Sequence, residues 1–384
     1  MAARPRAAIV TYEERRDLTY PEGHPFRPER AFMLMDILAR EGVLGESWLR
    51  EVLAIPASYD ELARFHTPGY LSLLEEASRG RMSLEMLEVG LGSADCPVFS
   101  GLHELAALAA GGTLLGARML DKAEADVVFN PIGGFHHAGK AFAEGFCYVN
   151  DVVLACLYLA DQGRKVACVD LDVHHGNGTE DALIDDARVL KTSMHESGRT
   201  LYPGGGFETR IGAGAARGLN INVPLPAGSD DDAFLRAFRG VIMPVLGAYG
   251  PDVVVLEIGM DVLAGDPLGH LRLTNNATAE AATLVRGLGK PVLVLGGGGY
   301  HPHNTARGWA VAFMSMCGVD TEDAYAGLVG GVFLGDCGRR GGLRDMRVYA
   351  SGEERAAIDA EVERVIAFHQ ATTFPIHGIS SNAG

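Results

Sequence analysis

Nowhere does the chain contain a CxxC pair, a run approaching the roughly 18 apolar residues that a membrane span requires, a linker rich in Pro or Ser, or an internal repeat. Each absence excludes something. The six cysteines (Cys96, Cys147, Cys156, Cys168, Cys317 and Cys337) are scattered, several of them in apolar stretches. They read as reduced, mostly buried thiols in a reducing compartment. The apolar part of the opening MAARPRAAIVTYEERR is too short for a signal peptide. A cytoplasmic protein with no membrane partner is therefore expected. Basic residues are in deficit, 33 against 49 acidic ones, for a formal charge of −16. That balance argues against non-specific nucleic-acid binding and is compatible with a cationic substrate. The length of 384 residues would allow two ordinary domains. Without a linker or a repeat, a single domain over 1–384 is expected.

What the chain does have is glycine, fifty of them, in short clusters that follow apolar runs. Functional loops have that character. The densest chemistry lies in VDLDVHHGNG, Val169–Gly178, where Asp170, Asp172, His174 and His175 end an apolar run. Period-2 alternation would point Asp170, Asp172 and His174 to one side and His175 to the other. Carboxylate and imidazole converging on one side make a donor set that zinc accepts. The competing reading is an ordinary exposed strand end. Two buried acids beside histidines are costly unless something neutralises them, which favours a metal.

The apolar pattern predicts strands at Ala7–Thr11, Asp126–Asn130, Lys165–Val173, Arg188–Met194, Leu219–Val223, Asp252–Ile258 and Pro291–Leu295. Helices are expected from Arg30 to Glu41, over Pro68–Glu76, Phe99–Asp121, Asp151–Gln162, Thr179–Asp186, Asp230–Tyr249, Ala277–Leu288, Asn304–Cys317 and Glu353–His369. Alternation of unbroken apolar strands with helices implies an α/β, three-layer fold with a central, mainly parallel sheet flanked by helices.

In such sheets ligands bind beyond the carboxyl ends of the strands. Four polar clusters occupy that position: GGFHHAG (Gly133–Gly139), the opening stretch, GMDVLAGDP (Gly259–Pro267) and GGGGYHPHN (Gly296–Asn304). His136 and His137 can share a pocket if a tight glycine-flanked turn carries them; otherwise they are a polar loop feature. Asp261 supplies a third ligand beside Asp172 and His174, the usual protein complement of a catalytic zinc. The glycine run does not fit GxGxxG. Its Tyr300 suits a donor to a developing oxyanion. Arg30, by periodicity alone, belongs on the surface.

Taken together, GHPFRPER, DCP, GGFHHAG, EGFCYVND, VDLDVHHGNGTED, GMDVLAGDPLG and GGGGY resemble the zinc-dependent deacetylase family that contains histone deacetylases and bacterial acetoin-utilisation proteins. The motifs run over about residues 20–320, with a helical segment near 350–370 beyond them. The resemblance implies the arginase/deacetylase-like fold and removal of acetyl or other acyl groups from the ε-amine of lysine. It implies one zinc per chain held by Asp172, His174 and Asp261. His137 would be the general base and His136 its neighbour, oriented and kept charged by Asp170, with Tyr300 donating to the acyl oxygen. Gly145, Phe146, Tyr202 and Leu268 would line an acyl-lysine channel. Asp95 would grip the substrate backbone at the rim, and Arg30 would move from the surface to the inner cavity. A K+ ion is implied near Asp170, Asp172, His174, Ser193 and Met194.

Two residues depart from the family pattern. Asn177 stands where many members have an aspartate paired with the second histidine, and an amide should leave His137 less basic. Met260 stands where a smaller side chain is common, without an evident reason in the sequence. Three rival functions remain. An acetylpolyamine amidohydrolase is the nearest, although Leu268 lacks the acidic gatekeeper such relatives tend to carry. A ureohydrolase would need acids for a second metal where this chain has Gly176 and Gly259. A non-catalytic acetyl-group binder would be expected to have lost a ligand or Tyr300.

Overall fold

The computed structural model describes residues 4–12, 19–321 and 342–380. Cys337 and the first three residues lie outside them. Eight strands form one sheet: β1 Ala7–Thr11, β2 Leu49–Leu53, β3 Val127–Asn130, β4 Val166–Asp170, β5 Val189–Glu196, β6 Asn220–Leu225, β7 Val253–Glu257 and β8 Val292–Leu295. Their order across the sheet is β2-β1-β3-β8-β7-β4-β5-β6, and every pairing among the described residues is parallel. The sheet is thus wholly parallel rather than mainly so.

Alternation sends successive strand residues to opposite layers. Val127, Phe129, Ala167, Val169, Val254 and Leu256 pack with the helices Arg30–Arg40, Asn275–Arg286, Pro302–Met316 and Gly352–Thr372. Val128, Val166, Cys168, Val253, Val255 and Leu293 face Leu102–Asp121 and Asp151–Asp161 on the other side. The result is the expected three layers. The last long helix belongs to them, because Ile358, Val362, Val365 and Ile366 are buried in the first cluster. Among the described residues no helix is long and apolar enough to cross a membrane.

Two of the differences from the sequence pattern bear on the site and the sheet edge. Strand β2 went unpredicted because it is an edge strand with only Leu49 buried, so its LREVL lacks an apolar signature. Strand β4 stops at Asp170, three residues before the expected end. Beyond it, side chains take over from the ladder: Asp172 N donates to Asp170 Oδ1 at 3.1 Å and His174 N to Asp172 Oδ1 at 2.9 Å.

Register then sets the site's floor. Asn130, Leu295, Glu257, Asp170, Ser193 and Asn222 are successive partners across β3, β8, β7, β4, β5 and β6. Five of those six are polar and all are buried; the first four end their strands, whereas Ser193 and Asn222 lie within β5 and β6. The four glycine-rich clusters leave from the four central strands, β3, β8, β7 and β4.

Candidate active site

The histidine pair sits on a loop whose backbone is tied down from below. Asp151, the first residue of its helix, accepts from Gly134 N and from Phe135 N at 2.8 Å. Asn150 caps that helix by accepting from Val153 N, and its amide donates to the carbonyls of His136 and Ala138. The final two residues of EGFCYVND therefore hold GGFHHAG in place, a role that sequence reasoning missed although both motifs were in view. Gly145 is needed for a close approach: its φ is +53°, and a Cβ there would stand 2.5 Å from His137 Cδ2. Phe146 follows at φ +68° with its carbonyl accepting from Tyr20 Oη at 2.6 Å.

Asp172, His174 and Asp261 converge, with donor atoms within 4.8 Å of one another, all buried. His174 Nδ1 lies 3.2 Å from Asp172 Oδ1 and 3.2 Å from Asp261 Oδ2. Backbone amides orient the acids: Gly298 N donates to Asp172 Oδ2 at 2.7 Å, and Val173 N to Asp261 Oδ1 at 3.1 Å. With no metal bound, burial and the adjacent Asp172 charge push Asp261 up to about 7. Burial opposes a charge on His174, but hydrogen bonds with Asp172 and Asp261 outweigh it and push the imidazole up to about 10. A proton there occupies the place between the two acids where a cation fits. Two oxygens and a nitrogen, dry and convergent, are a donor set suited to zinc.

His136 Nδ1 lies 3.0 Å from Asp170 Oδ2, and its Nε2 lies 3.0 Å from Nε2 of His137. Burial works against charging His136, yet the charges of Asp170 and Asp172 hold it above the ordinary histidine value. His137 is the opposite case: burial, with charge on His136 and His174, holds it well below. Its Nδ1 meets Asn177 Oδ1 at 2.7 Å. The Asn177 contact itself works the other way, so the low basicity of His137 comes from burial and its histidine neighbours and not from the amide. His175 turns away toward Glu180 Oε2, 3.1 Å distant.

Tyr300 is partly buried, with its ring 6.3 Å from His174 and 5.6 Å from Phe146. Burial, then the charges of Asp261 and Asp172, push its phenol well above the usual range, so it remains a donor. Tyr202 faces His137 at 5.3 Å between ring centres. Leu268 is half-buried, and Asp95 is exposed with its carbonyl 3.2 Å from His24 Nε2. Asp266, which sequence reasoning passed over inside GMDVLAGDP, accepts from both Tyr300 N and Leu268 N. Ser193 and Met194 are buried on β5, the serine hydroxyl 2.8 Å from His195 Nδ1.

Periodicity placed Arg30 on the surface, and the structure corrects that: it is 1% exposed. Its guanidinium donates to the carbonyls of Gly299 and Gly297 and lies over the rings of Phe26 and Trp309. Met260 also acquires a reason, because it fills the space left by Gly308, where a Cβ would stand 2.6 Å from its Sδ. Glu257, missed in the sequence, approaches His136 Nδ1 at 3.1 Å. Neither of its oxygens has a hydrogen-bond partner among the described residues.

Comparison with known proteins decides the family. The histone deacetylase domain model matches residues 24–316. The chain belongs to the histone deacetylase family. It is 38% identical to histone deacetylase RPD3 of Saccharomyces cerevisiae over 76% of this chain and 67% of that protein. It is 37% identical to human histone deacetylase 1, over 79% of this chain and 62% of that one. The match to histone deacetylase 19 of Arabidopsis thaliana reaches 38% identity and covers 79% and 60% of the two chains. The chain thus spans about three-fifths to two-thirds of these relatives' lengths. A crystal structure of a deacetylase homologue from Aquifex aeolicus superposes with TM-score 0.82 at 29% identity, covering 94% of this chain and 100% of that one. A homologue complexed with SAHA gives 0.79 at 30% identity, with 94% and 99% covered. The fold is that of these histone deacetylase homologues.

Proposed function

We propose that the chain is a single-domain, zinc-dependent amidohydrolase that removes acetyl or other acyl groups from the ε-amine of lysine in peptides or proteins. The observation that carries this is the buried convergence of Asp172, His174 and Asp261 beside the His136–His137 pair, with the Tyr300 ring 6.3 Å from that of His174. Zinc held by those three ligands would supply Lewis acidity toward the acyl oxygen and toward water. His137 accepts the proton of the attacking water at Nε2 and later returns it to the leaving amine, since an amine departs only when protonated. The Tyr300 hydroxyl donates to the acyl oxygen as negative charge develops there. Asp170 orients His136 and keeps it positive, which adds favourable charge near the same oxygen.

Phe146 and Tyr202 offer aromatic walls for the apolar lysine stem, with Gly145 leaving room between them and Leu268 adding a wall without charge. Asp95, exposed at the rim, accepts from backbone amides of a bound peptide. Arg30 shapes the inner end of the site through the glycine loop. A K+ ion near Asp170, Asp172, His174, Ser193 and Met194 would balance the buried acids. Cytoplasmic residence fits the five free, buried thiols among the described residues.

A two-metal ureohydrolase is disfavoured on steric grounds. A Cβ at Gly176 would stand 2.4 Å from Asp170 Oδ2, and one at Gly259 would stand 2.0 Å from Asp172 Oδ2. The deciding experiment supplies zinc-loaded protein with acetyl-lysine peptides and with acetyl-polyamines in parallel. Acetate should be released from the peptides, and Tyr300→Phe should lower kcat by about a hundred- to a thousand-fold. Turnover of acetyl-polyamines without peptide turnover would replace the lysine reading with the polyamine one.

A further inference from the structure

We propose that Glu144, which the mechanism above leaves unused, is a positioning residue that orients the Asn177 amide and thereby sets which nitrogen of His137 carries the proton. The proposal rests on the reading of His137 as the base.

A line of side-chain contacts runs through the two histidines and ends in a carboxylate at each end. Asn177 Nδ2 donates to Glu144 Oε2 at 2.9 Å. Asn177 Oδ1 lies 2.7 Å from His137 Nδ1, His137 Nε2 lies 3.0 Å from His136 Nε2, and His136 Nδ1 lies 3.0 Å from Asp170 Oδ2. An ionised carboxylate only accepts, so Glu144 must face the NH2 side of Asn177. The Asn177 carbonyl oxygen then points at His137 and can only accept, so His137 must be protonated at Nδ1. At the far end Asp170 likewise requires a proton on Nδ1 of His136. One proton remains for the two facing Nε2 atoms. With it on His136, His137 Nε2 is left unprotonated, accepting from its neighbour until a water proton competes for the lone pair, the state a general base needs.

Burial, then the nearby Glu144 carboxylate, push the Tyr202 phenol well above its usual range, so the carboxylate lies between the wall residue and the amide. Remove its exclusive acceptor character and the amide is free to turn over, presenting NH2 to His137 Nδ1. That ring would then move its proton to Nε2 and lose the base. The direct aspartate that many family members place at position 177 would make such a relay unnecessary. The carboxylate in this chain instead stands one amide farther out.

The test is a double-mutant cycle with a tautomer measurement. Glu144→Gln should lower kcat roughly 10- to 100-fold, as loss of an orienting partner typically does, with KM little changed. In an Asn177→Asp background, where a carboxylate meets His137 directly and Glu144 only repels it, the same change should leave kcat unaltered or raise it. Equal losses in both backgrounds, as a merely structural contact would produce, overturn the proposal. Nitrogen-15 NMR of zinc-free protein reads the tautomer without any activity. His137 should be the Nδ1–H form in the parent and should shift toward Nε2–H in Glu144→Gln. An Nε2–H parent, or an unshifted variant, overturns it equally. A parent with the expected tautomer and no acyl-lysine hydrolysis would instead sink the functional reading alone.

Discussion

Arg30 Nη1 donates to the carbonyl of Gly299 at 2.5 Å, one residue before Tyr300, across 269 positions of sequence. Its Nη2 holds Gly297 O at 3.0 Å, so one buried cation fixes two peptide units of the glycine loop. Arg30→Met keeps much of the apolar stem against Phe26 and Trp309 but leaves both carbonyls without a donor. A loss of roughly 3–6 kcal/mol in denaturant unfolding is expected, from two hydrogen bonds to a charged group. kcat should fall with it, because the Tyr300 hydroxyl loses its fixed position. An unchanged unfolding midpoint would show that the loop does not depend on this side chain.

Gly176 and Gly259 are restricted by sterics, not only by the absence of a second metal. At Gly176 a methyl group would meet Asp170 Oδ2 and, at 3.0 Å, His136 Nδ1. Gly176→Ala should therefore separate Asp170 from His136 and lower kcat by about a hundred-fold or more, with zinc content retained. Gly259→Ala should act differently, displacing the ligand Asp172 and lowering zinc content first. Metal analysis of the two purified variants separates these outcomes; identical zinc loss in both would contradict the distinction.

The loops of the candidate site were legible because they obey a topological rule: each follows a buried apolar strand, and the four strands turn out to be neighbours. The convergence of Asp172, His174 and Asp261 was legible for the same reason, with strand alternation only a partial guide. Strand geometry ends at Asp170, and Asp172 and His174 are aimed by hydrogen bonds within the turn. Arg30 could not be read from its helix, since its partners are carbonyls that tertiary folding delivers. Glu257 was hidden as the last polar letter of DVVVLEI, where a strand normally meets solvent; here parallel register sets it beside Asp170. Asp266 accepts from a backbone amide of another loop and Asn150 donates to two backbone carbonyls of another, contacts that side-chain pattern does not encode.

Metal affinity should rise with pH, and its slope should steepen at the acid end. In the metal-free site His174 stands at about 10 and Asp261 at about 7. Each ligand must lose its proton before it can bind. Between pH 7 and 10 one proton, from His174, competes with zinc, so apparent affinity should change about ten-fold per pH unit. Below pH 7 Asp261 adds a second proton and the dependence should approach a hundred-fold per unit. Chelator competition at pH 6, 7 and 8 measures this directly. A flat profile would mean that the acids and the histidine do not bind the metal together.

Glu257 shifts in the opposite direction to a charge-paired buried acid such as Glu180. Burial, then the charges of Asp170 and Asp172, push its carboxyl well above the ordinary value of 4.5. The unfolded chain releases this proton at the ordinary value, whereas the folded protein keeps it to higher pH. Stability from this group is therefore intact below about 4.5 and declines as pH rises toward the folded value. Glu257→Gln removes the titration while keeping the shape, so it should stabilise the metal-free protein, and more at pH 8 than at pH 5. Thermal unfolding of the two proteins at both pH values decides the matter. Destabilisation at pH 8 would mean that Glu257 is ionised and paired with His136, making it a second anionic partner of that ring beside Asp170.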